Sequence, residues 1–287
     1  MFNDTDGKLY IWKSMDMINW EPIEVWNWDK MKEHLPPECP DPRTVKKPKG
    51  ISYMGTEVWH LNDTFFIGFV PWVKGNNKGF LLRSASGKAE GPYSVVADEG
   101  VGTCVTFFQD DDGAVYECNN SNIQRWKKDM SGPDRTWNRP NKALSADGTC
   151  NMADCAGQIA KIHGKYVNFT CGVEGVLSRA RAYSQPGAYS RHYMTADSLE
   201  GPWSREQVIG NYVGHGGLVQ DGHGNWWSCS FANEASQGQP CLKNITAYIY
   251  PCTVEMKNGQ LRIRMADTLP DYAEKALRER ETKQPNK

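Results

Sequence analysis

The feature that most constrains the fold of this chain is a repeated phrase, in which a turn rich in Asn, Asp or Gly leads into an aromatic and aliphatic strand. Five copies begin at Asp6, Asn62, Asp112, His163 and Gly224. From Asp63 to Gly113, Gly164 and Gly224 the steps are 50, 51 and 60 residues. A step of roughly 40–60 residues holds four short strands and their turns, which is the content of one β-propeller blade.

This period predicts an all-β fold, a five-bladed β-propeller that occupies residues 1–265 as a single domain. The first blade is predicted to be incomplete, because Met1 falls just before what should be a middle or outer strand. A β-sandwich with evenly spaced hairpins is the alternative interpretation of the same spacing. Residues 266–287 are dense in charge and are expected to form a tail or a short helix.

The composition argues against several function classes. The chain has 33 Lys and Arg residues against 34 Asp and Glu, a formal net charge of −1, so we expect neither nucleic acid nor a membrane as a partner. No apolar run approaches the length of about 18 residues that a membrane span needs. The segment Met1–Trp20 lacks the charged and then apolar order of a signal peptide. Nine cysteines without a CxxC pair leave the redox compartment open.

Three stretches carry a resemblance to a known family. Residues 9–21 read LYIWKSMDMINWE, residues 108–116 read FQDDDGAVY, and residues 214–227 read GHGGLVQDGHGNWW. In order and spacing they resemble motifs of the five-bladed propeller glycoside hydrolases of family 43. The resemblance extends from about residue 8 to residue 265. It implies hydrolysis of glycosidic bonds in plant or algal polysaccharides, with a carbohydrate as the partner.

The reaction that the resemblance implies is inversion, in which one carboxylate activates water and one carboxylic acid protonates the leaving oxygen. A third carboxylate adjusts the pKa of the acid through its charge. The family's base would precede Met1, its charge-tuning residue aligns with Cys104, and its acid aligns with Cys155. Asp154 is one residue away from the acid position. It would serve as the acid only where a β-bulge re-aims it, since alternate strand residues point to opposite faces.

Two more residues are expected at the site from the same resemblance, and two tryptophans are expected there because aromatic rings stack on sugars. Glu57 matches the acidic residue that opens blade two, and we expect it to line the pocket as base or charge tuner, with a salt bridge at the rim as the alternative. His215 matches a histidine that holds water, a cation or substrate, and a backbone cap is its alternative. Trp59 and Trp72 are expected to stack on sugar rings, unless they pack between blades as most of the 11 tryptophans must.

The cysteines at catalytic positions allow a second kind of site. The alignment brings Cys104, Cys155 and His215 together, a set that could hold zinc with one coordination position open. Glu57 would then be a fourth ligand or the base. A disulfide between the two cysteines and simple space filling are the alternatives.

The run Asp110–Asp112 precedes Gly113 and is predicted to be a turn between strands, not a cation site. The predicted chemistry requires no cofactor, although the resemblance leaves room for a calcium or zinc ion. We therefore predict a carbohydrate-active propeller, either a glycoside hydrolase or a relative that binds sugar without hydrolysing it. The resemblance also leads us to expect a secreted or periplasmic location.

Overall fold

The computed structural model describes residues 7–37, 39, 41, 52–72, 78–98, 101–102, 105–119, 122–136, 141–142, 155–173, 189–210, 213–214, 216–232 and 246–283. The contacts within the chain divide it into two compact units. The first unit comprises Met1–Lys13, Trp20–Asn119 and Gln124–Arg139. The second unit comprises Ser14–Asn19, Asn120–Ile123 and Pro140–Lys287.

Strands make up nearly all of the regular structure. The first eight are β1 (Lys8–Lys13), β2 (Glu21–Asn27), β3 (Ser52–Leu61), β4 (Thr64–Trp72), β5 (Phe80–Ser84), β6 (Tyr93–Ala97), β7 (Val105–Gln109) and β8 (Val115–Asn119). The others are β9 (Asn122–Arg125), β10 (Asn141–Lys142), β11 (Cys155–Ile162), β12 (Lys165–Val173), β13 (Tyr189–Ala196), β14 (Gln207–Gly210), β15 (Val213–Gly214), β16 (Leu218–Gln220), β17 (Trp226–Ala232), β18 (Thr246–Lys257) and β19 (Gln260–Met265). The helical segments are α1 (Trp28–Met31), a 3-10 turn (Lys32–His34) and α2 (Asp271–Lys283).

The strands form antiparallel sheets. Four sheets have the orders β3-β4-β5-β6, β7-β8-β9-β10, β11-β12-β13-β14 and β15-β17-β18-β19, with β16 also paired to β17. Antiparallel sheets of this strand order are the blades of a β-propeller, which confirms the predicted all-β propeller class. β1 and β2 form a separate two-stranded sheet, where the sequence predicts an incomplete first blade. Four complete blades are present in the described ranges, and the fifth stays a prediction.

Four copies of the repeated phrase form hairpin turns, which lie between β3 and β4, β7 and β8, β11 and β12, and β16 and β17. Leu61 pairs with Thr64 across a turn in which Asn62 and Asp63 have φ angles of 49° and 57°. His163, in the turn between β11 and β12, has a φ of 50°. Asn, Asp and His tolerate this left-handed conformation better than most residues do. The residues that define the repeat are therefore those that the turns require.

The aspartate run after β7 forms a turn, as predicted. The Asp110 carboxylate accepts a hydrogen bond from the backbone N–H of Asp111 (2.8 Å), and the Asp112 carboxylate accepts one from that of Ala114 (2.9 Å). The N–H of Gly113 donates to the Asp110 carbonyl. These local bonds confirm the turn, because the carboxylates are engaged by their own backbone.

Each unit has its own apolar core, and aromatic rings supply much of it. The first unit has two clusters, one that includes Trp26, Trp28, Phe69 and Phe80, and one that includes Trp59, Phe66, Phe107 and Trp126. The cluster of the second unit includes Phe169, Tyr193, Leu218, Tyr250 and Ile263. Much of the aromatic content of the chain therefore serves packing between adjacent sheets.

Helix α2 lies in the charged C-terminal segment and packs on the last blade of the second unit. Tyr272 donates a hydrogen bond to the Asp221 carboxylate, which also accepts one from the indole N–H of Trp227 at 2.7 Å. Burial alone would raise the pKa of Asp221, but these hydrogen bonds outweigh it and lower that pKa. Helix α2 has 13 residues and is largely charged; no helix in the described part of the chain could span a membrane.

Candidate functional site

Glu57 lies where β3 departs from regular pairing. Met54 pairs with Val70 and Glu57 pairs with Gly68, so three steps along β3 correspond to two along β4. The extra residue makes a β-bulge, and Gly55 within it has a φ of 61°, which glycine adopts without strain. The Glu57 side chain is partly exposed. Bulges of this kind re-aim side chains next to functional sites.

The carboxylate of Glu57 acts electrostatically on the neighbouring sheet of the first unit. Burial raises the pKa of the Cys118 thiol in β8, and the charges of Glu117 and Glu57 raise it further. Cys118 is therefore protonated in neutral solution, and a protonated thiol is a weak nucleophile and a weak metal ligand.

Trp59 is buried between two sheets of the first unit. Its indole N–H donates to the Thr106 hydroxyl at 3.1 Å, and its ring meets Phe107 edge-on with centroids 4.9 Å apart. Only 9% of the residue is exposed. These contacts are those expected of a tryptophan that packs between blades. A role of Trp59 in stacking on a sugar ring stays a prediction. Trp72 is the last residue of β4, and its side chain lies outside what the structure describes.

A buried carboxyl group that the sequence analysis does not single out lies in the same unit. Glu117, in β8, is 4% exposed and accepts a hydrogen bond from the indole N–H of Trp126 at 2.6 Å. Burial raises the pKa of Glu117 to about 7, against the lowering effects of that bond and of Arg135. The only sequence signal that marks it is an acidic residue within a strand that is otherwise mostly apolar.

The strand β11 begins with a second bulge. Cys155 pairs with Cys171 of β12 and the next pair joins Gln158 to Phe169, so β11 contains one extra residue here. Asp154 would serve as the acid only where a β-bulge re-aims its side chain, and a β-bulge is present in the residues that directly follow it. Asp154 itself and the side chain of Cys155 lie outside the described residues, so the assignment of the acid stays a prediction.

Gln158 connects β11 to β16 within the second unit. Its amide oxygen accepts from the Leu218 backbone N–H at 2.7 Å, and its amide N–H donates to the Leu218 carbonyl at 3.0 Å. Nearby, a Cβ at Gly216 would lie 1.4 Å from the Cys229 carbonyl oxygen, so only glycine fits this position. These contacts fix the backbone that directly follows His215, although His215 itself lies outside the described residues.

The predicted site residues divide between the two units. The first unit holds Glu57, Trp59, Trp72 and Cys104, and the second holds Asp154, Cys155 and His215. Cys104 also lies outside the described residues. Across the described ranges, no group of three or more His, Cys, Asp or Glu side chains could hold a metal ion. The zinc, disulfide and space-filling alternatives for the cysteine positions therefore stay predictions.

No protein-family model matches the sequence, and no curated protein matches it. Solved structures do match. One is a bifunctional GH43-CE protein of Bacteroides eggerthii, with a TM-score of 0.63 and 19% identity over 91% of this chain and 32% of that one. Another is an exo-β-1,3-galactanase of Phanerochaete chrysosporium with β-1,3-galactotriose, with a TM-score of 0.57 and 16% identity over 93% of this chain and 59% of that one. An endo-1,4-β-xylanase of Bacteroides thetaiotaomicron has a TM-score of 0.58 and 16% identity over 90% of this chain and 85% of that one.

The chain spans less than two thirds of the first two of these proteins. At identities of 16–19%, what this chain shares with the three structures is the path of the backbone. That path agrees with the resemblance of the three sequence stretches to the propeller glycoside hydrolases of family 43. The chain therefore has the β-propeller fold of solved family 43 glycoside hydrolases.

Proposed function

We propose that this chain is a carbohydrate-active propeller that binds a plant or algal oligosaccharide and hydrolyses a glycosidic bond in it with inversion. The observation that carries the proposal is the fold that the chain shares with structures named as a β-1,3-galactanase and a β-1,4-xylanase. Because the sugars in the names of those proteins are neutral and β-linked, xylo- and galacto-oligosaccharides are the first ligands to test.

In this proposal Asp154 is the acid, and Glu57 is the base or tunes the charge. Inversion needs two carboxyl groups roughly 6.5–9.5 Å apart, so that a water molecule fits between the base and the sugar. Partial exposure and the adjacent bulge support the role of Glu57. The bulge at the start of β11 supports that of Asp154. The proposed sugar contacts are His215, Trp72, Trp59, Cys104 and Cys155.

Sugar binding without hydrolysis is the second candidate function, and the residue types at two positions favour it. Cys104 and Cys155 stand where the family resemblance expects carboxylates. A thiol has an ordinary pKa of about 8.5, so it is neutral where a carboxylate is charged. A thiol therefore cannot supply the charge that tunes the acid, and such a propeller would keep the pocket while losing the reaction.

One assay on the purified chain separates the two functions. The protein is incubated with xylo-oligosaccharides and with β-1,3-galacto-oligosaccharides, binding is measured by calorimetry, and released reducing sugar is followed over time. Hydrolysis predicts release that Asp154→Asn reduces by about 10²–10⁴-fold, the usual contribution of a general acid. Glu57→Gln is expected to reduce release as well. Cys155→Ala removes a proposed sugar contact but no carboxyl group, so it is expected to reduce release much less than Asp154→Asn does.

Each outcome of the assay decides between the candidates. Binding without any release supports the binding function and rejects hydrolysis. Release that Asp154→Asn does not change rejects the acid proposed here. Absence of both binding and release with both sugar series rejects the two functions together. Metal analysis of the same preparation tests the thiolate alternative, because a structural or catalytic zinc site would contain about one zinc per chain.

A further inference from the structure

A strap of chain, residues 126–136, folds back against the sheet that contains β7 and β8 in the first unit. It starts where the backbone N–H of Trp126 donates to the Val115 carbonyl at 2.8 Å, and it returns so that Trp126 forms a bridge with Pro133. Met130, at the tip, is 1% exposed and belongs to the same apolar cluster as Trp126. The strap is therefore anchored by two buried side chains.

An ion pair closes the base of the strap. Arg125 donates two hydrogen bonds to the same oxygen of Asp134, at 3.0 and 2.6 Å, and the backbone N–H of Asp134 donates to the Arg125 carbonyl at 2.9 Å. Both side chains of the pair are partly exposed. Exposed ion pairs contribute about 0–1 kcal/mol, so this pair alone does not hold the strap closed.

Glu117 holds the strap from the side of the sheet. The hydrogen bond that its carboxyl oxygen accepts from Trp126 is buried, and Glu117 pairs across the strands with Phe107. The Phe107 ring meets the Trp126 ring edge-on, with centroids 4.7 Å apart. The carboxyl group is thus placed among aromatic rings, where an ionised form loses the solvation that water would give it.

Few charges face this carboxyl group. The strap contributes Arg135, whose charge lowers the pKa of Glu117. β8 contributes the adjacent Cys118 thiol, and β3 contributes Glu57, which acts on that thiol. β7 carries no charged residue. Burial, which raises the pKa of Glu117, outweighs the lowering effects of Arg135 and of the Trp126 hydrogen bond.

We propose that Glu117 and Trp126 form a pH-sensitive latch, in which protonated Glu117 keeps the strap closed and loss of the proton loosens it. In the closed strap the pKa of Glu117 is raised from its ordinary 4.5 to about 7. The closed form therefore binds the proton more tightly than an open, hydrated form does. Its extra stability is complete below pH 4.5 and is lost as the pH rises through 7. The latch does not depend on the proposed function.

Nuclear magnetic resonance of the full chain with 15N-labelled tryptophan tests the latch. The indole N–H signal of Trp126 is identified by its absence in Trp126→Phe. We expect its chemical shift to titrate with a midpoint near pH 7, and this titration to vanish in Glu117→Gln, which keeps an oxygen that accepts the indole N–H. Hydrogen exchange of the Met130 and Asp134 amides, corrected for intrinsic rates, should speed up on the order of 30-fold from pH 5.5 to pH 8.

The matched control is Glu24→Gln, which removes an exposed carboxylate of the same unit and should leave both measurements unchanged. A midpoint below pH 5 in the unmodified chain overturns the latch even if the Gln variant does not fold. So does exchange at the strap that shows no pH dependence after correction. Equal pH dependence in the chain and in a folded Glu117→Gln variant would assign the effect to another group and reject the proposal.

Discussion

At the residue scale, side chains are held either by the backbone of their own turn or by partners far away in the sequence. The run Asp110–Asp112 is predicted correctly as a turn, because its carboxylates bind the backbone within the same few residues. Trp59 could serve either packing or sugar binding on sequence grounds alone. Its contacts with Thr106 and Phe107, almost 50 residues away along the chain, are those of packing.

The packing of Trp59 leads to a prediction for Gly68, which faces the indole ring. A Cβ at Gly68 would lie 2.8 Å from two ring atoms of Trp59, and the hydrogen bond to Thr106 restrains that ring. We expect Gly68→Ala to lower the free energy of unfolding by about 1–3 kcal/mol, as overpacking of a core usually does. Urea denaturation followed by circular dichroism measures this change.

Gly222→Ala is the matched control for Gly68→Ala. The same added Cβ meets nothing within 4 Å at Gly222. Its effect on the free energy of unfolding should stay within about 0.5 kcal/mol, as for most surface substitutions. Equal stability of the two variants would contradict the account of Trp59 as a tightly packed residue.

At the scale of elements, hairpins are predictable here and bulges are not. The hairpin turns have a sequence signature, since Asn, Asp, His and Gly stand at the positions with positive φ. The bulges in β3 and β11 become visible only when each strand is paired with its neighbour. Sequence alignment can therefore place Glu57 in β3 and Asp154 just before β11 without showing the direction of either side chain.

The two hydrogen bonds between Gln158 of β11 and Leu218 of β16 lead to a prediction at the same scale. Gln158→Ala removes both hydrogen bonds to Leu218, a residue that is 4% exposed. The Leu218 N–H and carbonyl then lose their side-chain partner, which typically costs about 1–3 kcal/mol for a buried group. We expect a loss of stability of that size by urea denaturation. We also expect faster hydrogen exchange at the Leu218 amide.

Gln220→Ala is the control for Gln158→Ala. Gln220 is exposed and, within the described residues, donates to the Gly224 carbonyl of its own turn, at 2.9 Å. Its loss should change the free energy of unfolding by less than about 0.5 kcal/mol. If the two variants were equally stable, the hydrogen bonds between Gln158 and Leu218 would not be the contact that joins β11 to β16.

At the scale of the whole molecule, the propeller class follows from a repeat of about 50 residues, because each blade is one structural unit of that length. Sequence spacing does not determine how far the first blade is complete. The candidate site is less predictable still, since its members are far apart in the chain. Glu117 is an example, because it is buried beside the rings of Phe107 and Trp126 and no sequence motif marks it.

The most direct test of the account is an experimental structure of the chain with bound xylotriose or β-1,3-galactotriose. We predict a sugar in contact with Glu57 and His215, and an Asp154 carboxyl group roughly 6.5–9.5 Å from that of Glu57, as inversion requires. A sugar bound to another surface, or Glu57 and His215 on opposite sides of the molecule, would contradict it.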